Sequence, residues 1–161
     1  MTTTRTLVRT GLLDLALVAV ACLVPALTHL LAFPLSRLNP MMLIFVAGVL
    51  LVPNRANAYL LAAVLPILTS LVSGMPSPLG ALCISLEYAT LISLFFLLAP
   101  RCSGRLSLFG AAILALFAAK GVYYLAKYHI LNPDTLFSTP LLWQGISTLL
   151  AAALLTLFYR K

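Results

Sequence analysis

The chain has 161 residues, of which 63% are hydrophobic and only 8% charged, whereas roughly a quarter of a soluble domain carries charge. Its formal charge of +7 sits mostly at the ends of apolar segments, where Lys and Arg orient membrane proteins, so it argues against a nucleic-acid partner. About six apolar segments of around 20 residues each use nearly the whole chain and exclude a separate soluble catalytic domain. The expectation is an all-α integral membrane protein, a six-transmembrane-helix bundle forming a single membrane domain over residues 1–161.

The first span is expected at about 11–32, with Pro25 as a kink because proline removes a backbone hydrogen bond and crowds the preceding turn. This run is too long for a signal-peptide core and ends without a small-x-small cleavage site, so it reads as a retained span. A loop from Phe33 to Pro40 carries Arg37. The second span, about 41–52, is short for a crossing, and a re-entrant segment is the alternative. Arg55 in the tight link Pro53–Asn57 favours a true crossing, since a re-entrant tip would hold that charge at depth.

The third span, about 58–73, is followed by the turn Gly74-Met75-Pro76-Ser77-Pro78, and the fourth covers about 79–99. After the basic link around Arg101 and Arg105 comes a fifth span at about 108–125. A longer loop, Ala126 to Pro140, is expected to hold Lys127, His129 and Asp134, ahead of a sixth span at about 141–159. Small residues at helical spacing, Ala58 and Ala62 in the third span and Ala111, Ala115 and Ala119 in the fifth, suit close helix packing in lipid or contact with another subunit. Cys22, Cys83 and Cys102 show no disulfide or metal spacing and read as packing residues.

With six crossings, Arg5, Arg9, Arg55, Arg101, Arg105, Arg160 and Lys161 fall on one side, against Arg37 and Lys127 on the other. Positively charged loops stay inside, so both termini are expected to be cytoplasmic.

The polar residues within the spans are few. Glu87 lies roughly 12 Å of helix from the outer end of the fourth span, and Lys120 about five residues from the outer end of the fifth. The two overlap in depth in the outer half of the membrane. Tyr123, Tyr124 and Lys127 follow Lys120 along one helix face, Trp143 and Gln144 open the sixth span, and Tyr88 adjoins Glu87. One carboxylate, one or two ammonium groups, an amide and several rings suit a small polar, partly planar solute. The competing reading is a Glu87–Lys120 pair that only neutralises itself, with Trp143 and the tyrosines as interfacial anchors. His129 has no partner at metal spacing. Asp14 is compatible with a cap, a snorkelling side chain or a subunit contact.

No nucleophile–His–acid set, carboxylate pair, metal motif or Walker sequence appears, so a non-enzymatic chain without cofactor is expected.

The runs LNPMMLIFVAGVLL (38–51), PILTSLVSGMPSPLGALCISLEYATLISLFFLL (66–98) and PLLWQGISTLLAAALL (140–155) resemble the substrate-binding S components of energy-coupling factor (ECF) transporters. The shared features are a Pro-Met before span 2, a Gly-Met-Pro turn before span 4 and a span-4 Glu. The resemblance implies a multi-pass protein of a prokaryotic plasma (inner) membrane that captures a vitamin or related micronutrient from outside. It also implies a transmembrane coupling subunit and two ATPase subunits as partners, besides membrane lipid. The family's site, built by spans 4 to 6 and the outer loops, would fall here on Glu87, Lys120, Tyr124 and Gln144. Two departures stand out. The first span has Cys22-x-x-x-Ala26, with Ala16, Ala19 and Ala21 scattered, where the family has Ala-x-x-x-Ala. The link 53–57 has no glycine. A small accessory or assembly subunit of a larger membrane complex, with no solute of its own, is the alternative.

Overall fold

The computed structural model describes residues 2–30, 38–52, 54–131 and 140–159. They form six α-helices: α1 (Thr2–Leu30), α2 (Pro40–Leu51), α3 (Arg55–Ser73), α4 (Pro78–Leu98), α5 (Arg105–Leu131) and α6 (Leu141–Phe158), with a 3-10 turn at Ala99–Arg101 after α4. No strand occurs among the described residues. Three helices are long and apolar enough to cross a membrane: α3, α4 with its 3-10 extension, and α5.

Local chemistry sets the ends of these helices. Pro40 opens α2 at its first position, where the missing N–H costs nothing. Val52 is extended (φ −120°, ψ 90°) and ends the helix, as expected for a residue preceding proline. The Asn54 side chain caps α3 by accepting the Ala56 N–H at 3.0 Å. Gly74, at φ 71°, closes α3 in the left-handed conformation that glycine adopts without steric cost. Ser77 then caps α4 by accepting from the Gly80 N–H at 3.2 Å, and Pro78 occupies the first turn. The expected Gly74–Pro78 turn is thus a C-cap followed directly by an N-cap.

Four boundaries differ from expectation. α1 begins at Thr2 rather than near residue 11, and helix is continuous through Pro25. α3 starts at Arg55 and α5 at Arg105, so both arginines are helical. α5 continues to Leu131, which places Lys127 and His129 on the helix rather than in a loop. Ala126–Leu131 contains no helix breaker, and polarity alone does not end a helix; the first residue disfavouring it is Asn132, which precedes Pro133. α2, with 12 residues, is about 18 Å long and shorter than a bilayer's apolar core. Arg37, Asp134, Arg160 and Lys161, with most of the two longer loops, lie outside the described residues.

Around the bundle the contacting neighbours run α1, α2, α6, α5, α4, α3 and back to α1, with α2 also touching α3. The core follows from this order. Met42, Phe45, Val46 and Val49 of α2 meet Leu61, Ala62 and Leu65 of α3, Tyr88, Leu91 and Phe95 of α4, Ala115 and Ala119 of α5, and Ala151 and Ala152 of α6. Ala58 and Ala62 are buried as expected, but the buried small face of α5 is Ala112, Ala115 and Ala119, with Ala111 only half-buried. Outward faces carry Leu60, Leu71, Leu114, Phe117, Leu125 and Leu149, an apolar exterior that fits a lipid environment and not water.

Candidate functional site

Cys83 and Glu87 are one helical turn apart on α4 and face α5, the helix against which α4 packs most extensively. Glu87 is almost fully buried. Its Oε1 lies 2.6 Å from Lys120 Nζ on α5, with the Lys120 side chain 17% exposed and that of Glu87 3%. The helix ends explain the meeting. Glu87 is about 14 Å along α4 from Pro78, and Lys120 about 16 Å along α5 from Leu131. The extra turns of α5 place Lys120 deeper than expected, at the level of Glu87.

Around this pair the rings are close. Lys120 Nζ lies 5.1 Å from the Tyr123 ring centroid, in cation–π range. Tyr123 and Tyr124 meet edge to face at 5.3 Å. The Tyr124 hydroxyl donates to Gln144 Oε1, tying α5 to α6. Lys127, nearly buried one turn beyond Tyr123, lies within electrostatic reach of Cys83. Glu87, Lys120, Tyr123, Tyr124, Lys127 and Gln144 therefore belong to one polar region between α4, α5 and α6. Trp143 is half-buried on the same turn as Gln144, but as its sequence neighbour it points about 100° away around the helix.

One residue outside the expected set, Cys83, and the expected neighbour of Glu87, Tyr88, border this region. Cys83, read from sequence as packing, is a buried free thiol facing Lys127 and Tyr123. Tyr88 is fully buried, stacks flat on Phe45 of α2 (centroids 4.4 Å apart, planes 8° apart), and its hydroxyl has no hydrogen-bond partner among the described residues. The only sequence signal was its position beside Glu87.

The region can offer a carboxylate, two ammonium groups, phenols and an amide, which suits binding by oriented hydrogen bonds within apolar walls. Among the described residues, no three His, Cys, Asp or Glu side chains gather to hold a metal. Asp14, whose role was open, accepts a hydrogen bond from Asn57 Nδ2 at 3.2 Å and ties α1 to α3 at the opposite end. Arg55 there lies over the Phe96 ring at 5.5 Å, and Tyr59 bonds Ser93 at 2.9 Å.

The described residues are thus all-helical or turn, with three helices long and apolar enough to cross a membrane and a buried polar region between α4, α5 and α6. Comparison with protein-family models, curated proteins and solved structures finds no match.

Proposed function

We propose that this chain is the substrate-capture subunit, or S component, of an ATP-driven ECF importer, binding a small water-soluble vitamin or related micronutrient. In this reading all six helices lie in a prokaryotic plasma membrane, both termini are cytoplasmic, and the α3–α4 turn is outside. A coupling subunit and two ATPase subunits would complete the transporter, so the chain itself performs no chemistry.

The observation that carries the reading is the buried Glu87–Lys120 pair, joined to Tyr123, Tyr124 and Gln144 in the half of the bundle bounded by the Gly74–Ser77 turn. Buried ion pairs are costly against apolar packing of the same volume, and ionisable groups inside membranes tend to mark solute paths. The residue runs that resemble the family lead to the same region.

The direct 2.6 Å contact favours a second reading, in which the pair is structural and the chain is an accessory or assembly subunit. Mass spectrometry of small molecules released from gently purified protein separates the two. The transport reading expects a stoichiometric metabolite, lost from Glu87→Gln and Lys120→Met proteins that still fold. A chain that releases nothing, or variants that lose folding and not occupancy, supports the accessory reading.

A further inference from the structure

Tyr88 presents a problem that the core does not resolve. Its ring is well placed, flat against Phe45 and surrounded by Val46, Leu91 and Ile92 in the central apolar cluster. Its hydroxyl is fully buried without a partner among the described residues. Tyrosine is normally kept in a core only where its O–H finds an acceptor, since an unsatisfied buried donor loses its water with no return. Phenylalanine would give the same ring contact without that cost.

The hydroxyl does not stand apart from the polar region. It lies within electrostatic reach of both Glu87 on its own helix and Tyr123 on α5, yet it bonds neither. Glu87 is already engaged by Lys120. The Tyr88 O–H is therefore a donor beside the region, its ring backed by that of Phe45 and its hydroxyl without an acceptor among the described residues.

The geometry points to Tyr88 as a specificity-determining residue of the solute site, donating its hydroxyl hydrogen to an acceptor on the bound molecule. This rests on the solute-binding reading above and adds the chemistry of the solute. The Glu87–Lys120 pair is neutral as a unit, and the wall behind the hydroxyl, Phe45 with its neighbours, is apolar, which disfavours an added charge against that wall. The acceptor is a neutral carbonyl oxygen or ring nitrogen. Such a site rejects an analogue without the acceptor, because that analogue leaves the donor unpaired.

The test compares small molecules released by denaturation from equal amounts of purified wild-type, Tyr88→Phe, Glu87→Gln and Tyr59→Phe protein, identified and counted by mass spectrometry. Tyr59→Phe removes a phenol hydroxyl at the opposite end and serves as control. The released wild-type molecule is then titrated back into stripped protein. The expected result is a molecule with a neutral carbonyl or ring-nitrogen acceptor, bound about tenfold more weakly by Tyr88→Phe and unchanged by Tyr59→Phe. Stripped Tyr88→Phe protein should melt at the wild-type temperature or above, a direction that a merely structural hydroxyl would reverse. Equal affinity of wild type and Tyr88→Phe, with loss in Glu87→Gln, overturns the role of Tyr88 and leaves the solute reading intact. Release of nothing by the wild type overturns both.

Discussion

Lys120 and Glu87 meet at 2.6 Å between α4 and α5, Glu87 almost fully buried and Lys120 only partly exposed. In such a pair the loss of one partner costs more than the loss of both, because a single substitution leaves a buried group that has lost its water and its counter-charge. Lys120→Met is expected to destabilise the detergent-solubilised protein by about 3 kcal/mol, at the low end of the range for broken buried pairs because Lys120 keeps some exposure. The double variant Glu87→Gln/Lys120→Met should recover much of that loss. Thermal unfolding of the four proteins closes the cycle, and strictly additive losses would show that the two side chains do not act as a pair.

Gly48 of α2 sits where the helix passes closest to α3. A Cβ at this position would overlap the buried Leu61 side chain and lie 3.0 Å from Leu17 Cδ1 of α1. Overpacking a well-filled core forces side chains off their rotamers. Gly48→Ala should therefore cost about 1–3 kcal/mol, although alanine is the better helix former. Leu61→Ala makes the missing room, so the double variant is expected to be more stable than the sum of the single effects implies, and unfolding midpoints measure that coupling.

Asp14 and Asn57 provide the polar link between α1 and α3. Asn57 is the buried member, and taking away its acceptor leaves its amide unsatisfied. Asp14→Ala is expected to lower stability by about 1–3 kcal/mol. Asp14→Asn, which keeps a side-chain oxygen at the same place, should stay close to wild type. If both variants behave alike in chemical unfolding, charge and not the hydrogen bond is what Asp14 contributes.

The features legible in the sequence were those set by short-range chemistry or by counting residues along a helix. The Gly74–Ser77 turn is an example, because a left-handed glycine and a serine N-cap act within a few residues. The level of Glu87 with Lys120 follows from rise per residue, whereas the end of α5 does not: polar residues such as Lys127 and His129 look like a stop, yet the helix runs on to Leu131, just before Asn132-Pro133. Tyr88 on Phe45 and Asp14 with Asn57 were not legible. Each depends on how two helices distant in sequence are rotated and shifted against each other, and an apolar all-round helix has no polar stripe to fix that rotation. The same ambiguity moved the buried small face of α5 from Ala111 to Ala112.

Arg9, Arg55, Arg101 and Arg105 are all exposed near one end of the bundle, at the starts of α1, α3 and α5 and the end of α4. The Arg55–Phe96 contact joins the start of α3 to the end of α4, the Asn57–Asp14 hydrogen bond brings α1 to the start of α3, and the short link after Arg101 leads directly into α5. The opposite end holds the turn with exposed Met75. Positively charged ends stay in the cytoplasm, so the two turns should face opposite sides of the membrane. In a chain whose own cysteines are replaced, Met75→Cys is expected to react with a membrane-impermeant maleimide in intact cells. Ser103→Cys, in the exposed link between α4 and α5, should react only in inverted vesicles. Labelling of Ser103→Cys from outside would invert the orientation and place the polar region around Glu87 nearer the cytoplasm, which is incompatible with capture of an external solute.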